Sequence, residues 1–144
     1  MEQQSYEKHA MIVTGYHRIL APLLLLILIG SFVNVYESVG DSARLYSATL
    51  ISALTVAVFM VALYARVFAL GVQDRVIRAE ENMRHYLLTG KPLDSRLTVK
   101  QIIGLRFAPD EEFPALAERA ANENLSLDDI KRAVKNWRAD HNRI

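Results

Sequence analysis

Two long stretches without a charged residue constrain the fold of this chain more than any other feature. They are ILAPLLLLILIGSFVNV, which begins at Ile19, and LYSATLISALTVAVFMVALYA, which begins at Leu45. A helix needs about 20 mainly apolar residues to cross a hydrocarbon core roughly 30 Å thick. The 144 residues leave too little other apolar surface to bury both helices inside a soluble protein. The sequence therefore predicts transmembrane helices at 19–36 and 45–70, joined by a short external loop at 37–44.

A cleaved signal peptide is the alternative explanation of the first stretch. Small residues stand at a suitable spacing in Ser-Val-Gly, directly before Asp41. The preceding segment is long, however, and contains Glu2 and Glu7, whereas a signal peptide begins with a short, positively charged region. We therefore expect a retained helix, preceded by a cytosolic N-terminal segment at 1–18.

The short loop predicts that the two spans pack side by side as an antiparallel hairpin. Small and hydrogen-bonding side chains let membrane helices approach closely. The candidates are Gly30 and Asn34 on the first span, and Ala48, Ser52 and Thr55 on the second.

Lysine and arginine predict the orientation of the hairpin, because the cytoplasmic flanks of membrane helices carry an excess of both. Only Arg44 lies in the connecting loop, whereas Lys8 and Arg18 precede the first span. Four arginines follow the second apolar stretch: Arg66, Arg75, Arg78 and Arg84. Both termini are therefore expected in the cytoplasm. Aromatic and basic side chains near the four interfaces are the predicted membrane anchors: Tyr16, Arg18, Tyr36, Tyr46, Tyr64 and Arg66.

The helical pattern continues beyond the second span. The segment VQDRVIRAEENMRHYLLTGKP, from Val72, is highly charged and ends in Gly90 and Pro92, a typical stop signal. Three pairs place an acid four residues before a base, which stabilises a helix: Asp74–Arg78, Glu80–Arg84 and Glu81–His85. The second helix is therefore predicted to extend into the cytosol as a stalk at 71–90.

Apolar residues form one stripe along this stalk. Their spacing alternates between four and three residues, as in a contact between two helices. The stripe, called here the stalk stripe, consists of Val72, Val76, Ala79, Met83 and Tyr86. Three partners could cover it: the C-terminal helices of the same chain, a second copy of the chain, or a foreign protein. We expect the chain's own helices to do so.

Residues 91–144 predict a small module of short helices. Thr98 with Gln101 and Ser126 with Asp129 have the spacing of helix N-terminal caps. Asp110, Glu111 and Glu112 precede a helical segment. Their negative charges are expected to stabilise the N-terminal, positive end of this helix as caps rather than to catalyse a reaction.

The last predicted helix, LSLDDIKRAVKNWRADH, has an apolar stripe and a basic flank. The stripe contains Ile130, Ala133, Val134 and Trp137, and the flank contains Lys131, Lys135 and Arg138. The stripe is expected to pack into the helical core, with the basic flank in solvent. Two alternatives are open: the helix could lie on an anionic membrane surface, with its tryptophan at headgroup depth, or it could bind nucleic acid.

Nucleic-acid binding is the less favoured alternative. The segment RAANENLSLDDIKRAV is similar to a helix-turn-helix, with Asn124 at the turn. Its second helix would begin with Asp128 and Asp129, however, and these would repel the phosphate backbone.

Few residues are suited to chemistry. The chain has no cysteine, and its four histidines, His9, His17, His85 and His141, lack the spacing of a metal motif. Glu81 and His85 share a helical face, but two ligands are fewer than a catalytic zinc site requires. No enzymatic activity, metal or cofactor is predicted.

Three blocks resemble a known family. They are QDRVIRAEENMRHYLLTGK, QIIGLRFAPDEE and LSLDDIKRAVKNWRADHNRI, placed behind the two apolar stretches. In this order they resemble a family of bacterial two-span membrane proteins, a domain of unknown function, over about residues 6–144. The resemblance implies a protein of the bacterial cytoplasmic (inner) membrane with a cytosolic helical tail, and it assigns no site residues.

The sequence therefore predicts an all-α protein: a transmembrane helical hairpin, a long second helix and a small C-terminal helical module. The predicted function is that of a non-enzymatic accessory or assembly subunit of a larger membrane complex. The alternatives are a self-assembling homo-oligomer and a membrane-tethered, DNA-binding protein. The predicted partners are the lipid bilayer and other complex subunits or a second copy, with nucleic acid disfavoured. The interface residues are predicted to be Val72, Val76, Met83, Tyr86, Lys131, Lys135, Trp137 and Arg138.

Overall fold

The structure, a computed structural model, describes residues 5–6 and 12–140. Within these residues it is 74% helix and contains no strand. The all-α prediction is therefore confirmed. A π-helical segment, Thr14–Leu20, leads into five α-helices: α1 (Ala21–Glu37), α2 (Ser42–Thr89), α3 (Val99–Leu105), α4 (Phe113–Glu123) and α5 (Leu127–Ala133). The residues form two compact units: a hairpin unit of residues 12–69, and a C-terminal unit of residues 70–140 with residues 5–6. Lys8, Glu2, Glu7, His9 and His141 lie outside the described residues.

Two helices are long and apolar enough to cross a membrane. The helical segment Thr14–Glu37 has 24 residues, and α2 has 48. Only 11% and 17% of their most apolar windows are buried inside the structure, which leaves most of their leucine, valine and phenylalanine side chains exposed. The predicted single helix from the second apolar stretch to Thr89 is also confirmed, since α2 ends there and Gly90 follows with a φ of +73°.

Small side chains line the contact between α1 and the first half of α2. Ala48, Ser52 and Thr55 are buried on α2, as the sequence predicted, and Ala48 is only 1% exposed. Ser31 is buried on α1, and its carbonyl accepts a hydrogen bond of 3.0 Å from the Ser52 hydroxyl. The helices approach closely enough for a side-chain hydroxyl to bond the neighbouring backbone, as small residues allow.

The prediction that Gly30 lines this contact is wrong, because Gly30 is exposed and a Cβ added to it would meet no atom within 4 Å. Asn34 is also exposed, but it lines a cavity together with Ala48 of α2. The buried positions of α1 are instead Leu24 and Ser31, followed after the helix by Ser38. Adjacent helical residues are separated by about 100° around the axis, so Gly30 lies on a different face from Ser31.

The C-terminal unit has a core of bulky apolar residues. Phe113 and Ile130 are fully buried at its centre. Gly104 on α3 lies against α5, where an added Cβ would come within 3.1 Å of the side chains of Leu127 and Ile130. The other buried members of the core are Leu97, Ile102, Leu105, Ala108, Leu116, Ala117, Ala120 and Val134.

Local hydrogen bonds set the ends of these short helices. Thr98 and Gln101 form the predicted capping box at the start of α3, and the Ser126 side chain accepts a bond from the backbone N–H of Asp129 at the start of α5. Asn124 ends α4 in the left-handed conformation, with φ of +49°. The turn between α4 and α5 is therefore as the sequence predicted.

Two acidic side chains before α4 do not have the capping role predicted for them. Glu112 is the N-cap residue, but its carboxylate makes no cap hydrogen bond within α4. It accepts bonds from the backbone N–H groups of Lys135 and Asn136, at 3.0 and 3.2 Å. Asp110 instead pairs with Arg84. Both carboxylates therefore bind groups that are distant in the sequence instead of the N-terminal N–H groups of α4.

The last helix is shorter than predicted. α5 ends at Ala133, and Val134 has an extended backbone with ψ of 121°. The chain beyond it is held by Glu112 and by a 2.8 Å bond from the Arg138 N–H to the carbonyl of Phe107. These bonds use backbone groups that a longer helix would have paired internally, so the predicted helix through Trp137 does not form.

Candidate docking surface on the C-terminal unit

Residues 70–89 of α2 have one covered and one exposed face. Ile77 and Glu81 are only 6% and 5% exposed, and Glu81 has the guanidinium of Arg138 at 3.5 Å. The four larger residues of the stalk stripe are far more exposed, and they face the other way: Val72 62%, Val76 48%, Met83 60% and Tyr86 53%. The expectation that the chain's own C-terminal helices cover the stalk stripe is therefore wrong.

Arg84 joins the covered face of α2 to the loop before α4. Its guanidinium contacts Asp110 at 2.6 Å, donates to the carbonyl of Ala108 at 2.8 Å and donates to Glu81 at 2.9 Å. The same group lies 4.4 Å from the centre of the Phe113 ring. An arginine can satisfy several acceptors at once because its planar head carries five N–H donors. We call this set of contacts the Arg84 clamp.

Glu81 is the buried carboxylate of the clamp. Besides Arg84, its carboxylate has Arg138 at 3.5 Å. Burial raises the pKa of Glu81 above its ordinary value of 4.5, and the hydrogen bond and charge of Arg84, with the charge of Arg138, oppose the rise. Removing either arginine would leave a buried charge less compensated.

The ion pairs predicted along the stalk are not those that form. Arg84 pairs with Glu81, three residues earlier, rather than with Glu80. His85 turns to the end of the helix, where its Nδ1 donates to the carbonyl of Lys91 at 2.8 Å, and its ring packs edge-on against Phe113. The tertiary partners of the covered face select these contacts.

The end of the stalk is tied to the module by a second contact. The Asn82 side chain accepts a 2.9 Å bond from the backbone N–H of Leu93, just beyond the turn. Together with the Arg84 clamp, this bond fixes which face of the helix the module covers. The stalk stripe is therefore exposed on a helix whose opposite face is fixed to the module.

The predicted tail residues do not share one surface. Lys131 is buried, whereas Lys135 is exposed. Trp137 packs its ring 4.6 Å from that of Phe107, beside the core. The common basic flank predicted for Lys131, Lys135 and Arg138 is therefore wrong, because α5 ends before the last two. Their role in binding a partner stays a prediction.

The Arg84 clamp leaves no recognisable pattern in the sequence. Local spacing predicted a pair between Arg84 and Glu80 and a cap at Asp110, and the 26 residues that separate Arg84 from Asp110 leave no periodic signal. The one available signal was the abundance of acids and bases in both segments. In the part of the chain that the structure describes, no group of three or more histidine, aspartate or glutamate side chains could hold a metal ion.

The predicted membrane anchors all belong to the hairpin unit. Tyr36, Tyr46 and Tyr64 are exposed, as is Arg18. Tyr16 is half-buried, and its hydroxyl donates to the carbonyl of Ala62 at 3.1 Å. The guanidinium of Arg66 lies 5.7 Å from the centre of the Tyr16 ring. The anchoring role of these residues stays a prediction.

The architecture is that of an all-helical protein with two helices that could span a membrane and a small helical module. The chain belongs to DUF6526, a family of unknown function, whose model matches residues 1–144. The resemblance to a domain of unknown function is thereby confirmed, while bacterial origin and two membrane crossings stay predictions. No curated protein and no solved structure matches the chain.

Proposed function

We propose that this protein is a non-enzymatic accessory or assembly subunit, anchored in the bacterial cytoplasmic membrane and docking through its C-terminal unit. The observation that carries the proposal is the stalk stripe, which is apolar and exposed while the opposite face of the helix is fixed by the Arg84 clamp. Exposed apolar patches of this kind are typical of protein–protein contact sites.

The membrane part of the proposal is supported by the hairpin unit. Its exposed side chains within residues 19–33 and 50–65 are apolar, and the contact between α1 and α2 uses small residues and a hydroxyl bonded to a backbone carbonyl. The arginines that follow the second apolar stretch favour a cytoplasmic position for residues 71–144, and the loop, with Arg44 as its only basic residue, favours an external position for residues 37–44.

The non-enzymatic part is supported by how the C-terminal unit uses its polar side chains. Arg84, Glu81 and Asp110 hold the module on α2, and Glu112 holds the chain after α5. The Gln101 amide completes the capping box and donates to the carbonyl of Leu125 at 2.9 Å. These groups have structural hydrogen bonds to maintain, as buried polar groups require.

Cysteine labelling tests the membrane topology, because the natural chain contains no cysteine. Val39→Cys lies in the loop and Lys100→Cys lies in the module, and both positions are exposed. In intact cells, a membrane-impermeant maleimide should label the Val39→Cys variant only. Labelling of Lys100→Cys before the membrane is opened would contradict a cytoplasmic module.

Purification tests the docking function. The tagged protein is extracted from its native membrane in mild detergent, and the particle size and co-purifying chains are determined by mass spectrometry. We expect a particle larger than one chain, which Val76→Glu with Met83→Glu reduces to a single chain. Arg78→Glu, also exposed but outside the stripe, is the matched control and should leave the particle intact. A monomeric particle from the natural sequence would contradict the proposal.

A further inference from the structure

We propose that the stalk stripe is covered by a second copy of the same chain, so that two α2 helices lie parallel along residues 72–86. This deepens the proposed function, on which it rests, by naming the partner of that surface. Other subunits would then bind to a dimer. The proposal depends on three features of the C-terminal unit: the spacing of the stripe, the position of the covered face and two charges beside the stripe.

The spacing assigns the stripe to the core positions of a two-helix coiled coil. Such cores alternate between steps of three and four residues, labelled a and d within a repeat of seven. Val76 and Met83 take the a positions, and Val72, Ala79 and Tyr86 take the d positions. A valine at a is suited to a two-stranded contact, and the small Ala79 at its centre allows the backbones to approach.

The covered face lies where such a dimer leaves room for the module. In the same repeat, Ile77 and Arg84 occupy position b, and Glu81 occupies position f. These positions lie on the back of a coiled-coil helix. Glu81 and Arg84 belong to the Arg84 clamp, and Ile77, one turn before Glu81 on the same face, is buried. A second helix could therefore pack on the front without displacing the module of either copy.

Two charges beside the stripe are complementary between parallel copies. Arg75 is at position g and Glu80 is at position e of the next repeat. In a parallel pair, g of one helix faces e of the other, five residues further on. Both residues are exposed, and neither side chain has a hydrogen bond or ion pair within the described structure. The two-fold axis of a dimer would form this pair twice.

These charges favour one orientation. Antiparallel helices bring e to e and g to g, which would not join Arg75 of one copy to Glu80 of the other. The membrane gives the same orientation to every copy that is inserted in the same way, so the parallel arrangement is the one available. Two heptads are too short to hold free helices together, but confinement to one membrane raises the effective concentration of the chains.

Cysteine crosslinking in native membranes tests the proposal. Position a residues face their own counterparts across the two-fold axis, so Val76→Cys should form a disulfide-linked dimer under mild oxidation. Arg78→Cys, two residues away on the same helix and also exposed, should form at least about tenfold less, since position c points away from the axis. Equal crosslinking at both positions would indicate random collision and overturn the proposal.

Charge reversal tests the pairing itself in the Val76→Cys background. Arg75→Glu or Glu80→Arg alone should reduce the dimer roughly fivefold, because both symmetric pairs become repulsive. The double exchange, Arg75→Glu with Glu80→Arg, should restore it. A double exchange that crosslinks no better than the single variants would overturn the predicted register.

The outcome also separates this inference from the proposed function. If Val76→Cys forms no dimer while other chains co-purify and Val76→Glu with Met83→Glu releases them, the second-copy inference fails, while docking through the stripe stands. If the cysteine crosslinks to nothing and the purified particle is a single chain, both fail. A disulfide dimer that responds to the charge exchange supports both.

Discussion

The hairpin unit and the C-terminal unit hold their helices together in opposite ways. Between α1 and α2, the buried side chains are small except for Leu24, and Ser52 bonds directly to the backbone of the facing helix. In the C-terminal unit, bulky residues such as Phe113 fill the core, and Arg84 and Arg138 pair with the buried carboxylate of Glu81. In lipid, burying a leucine between helices gains no hydrophobic free energy, so close approach of the backbones stabilises the contact between α1 and α2. In water, burying apolar side chains is strongly favourable, so bulky apolar residues stabilise the C-terminal unit.

The largest effect is expected from removing bulk in the C-terminal unit. Phe113→Ala should lower its free energy of unfolding by about 3–5 kcal/mol, because the ring is fully buried against Arg84 and His85. Thermal unfolding in mild detergent can be followed by the fluorescence of Trp137, the chain's only tryptophan. Phe32→Ala removes the same ring from an exposed position of α1 and should leave that transition unchanged. Equal losses in both variants would remove the contrast between the units.

Breaking the Arg84 clamp should have the next largest effect. Arg84→Met keeps most of the side-chain volume but leaves Glu81 buried with only Arg138 nearby, which should cost about 3 kcal/mol. The double variant Arg84→Met with Glu81→Gln should recover part of the loss, because no charge is then left buried. Arg119→Met breaks an exposed pair with Glu123 and should cost no more than about 1 kcal/mol. If Arg119→Met were as costly as Arg84→Met, burial would not be the source of the effect.

Adding bulk should damage the hairpin unit instead. Ala48→Leu places a large side chain where α1 and α2 are in contact, which should cost about 1–3 kcal/mol of helix association. The yield of a disulfide between Ser31→Cys and Ser52→Cys measures that association, and the added leucine should lower it. Ala57→Leu, at an exposed position of α2, is the matched control. An undiminished yield with Ala48→Leu would show that the small residues are not required there.

The smallest expected effect is a pH dependence that belongs to the C-terminal unit. The pKa of Glu81 is raised by burial in the folded state, so the unfolded chain releases this proton first, at about its ordinary 4.5. Between that value and the raised one, the unfolded state binds fewer protons, and stability falls as pH rises. In the Glu81→Gln variant, the unfolding midpoint should no longer fall with pH across this range. Glu118 is an exposed glutamate of α4, and the Glu118→Gln variant should keep the pH dependence of the natural chain. If the Glu81→Gln variant also kept that pH dependence, another group would be its source.

The sequence predicted the fold well where the signal is local or periodic. The two apolar helices, the end of α2 at Thr89, the capping box at Thr98 and the turn at Asn124 were all predicted. It also identified Ala48, Ser52 and Thr55 as contact residues, since small residues stand out on an apolar helix. It failed for Gly30, because several faces of α1 are equally apolar and composition does not distinguish among them.

The candidate site was predicted less completely. The sequence predicted the stalk stripe from its repeat, but it did not predict that the stripe is exposed. Either face of α2 could have packed against the C-terminal helices, and the sequence does not distinguish between the two faces. Trp137 and Lys135 were assigned to a helix that local propensity favours. The carboxylate of Glu112, 23 residues earlier, binds the backbone N–H of Lys135, and a contact at that separation leaves no periodic trace.

The sequence by itself determined the helices that could span a membrane, their caps and the apolar repeat along α2, because each depends on residues within a few positions of one another. Only the tertiary structure decided that α1 meets α2 through Ser31, that α5 stops at Ala133, and that Arg84 binds Asp110 and turns the stalk stripe outward. These choices compare alternative faces of helices that are similar in composition. The physical reason is that the strength of long-range hydrogen bonds and of close packing depends on where the groups lie in space. The spacing of residues along the chain does not determine those positions.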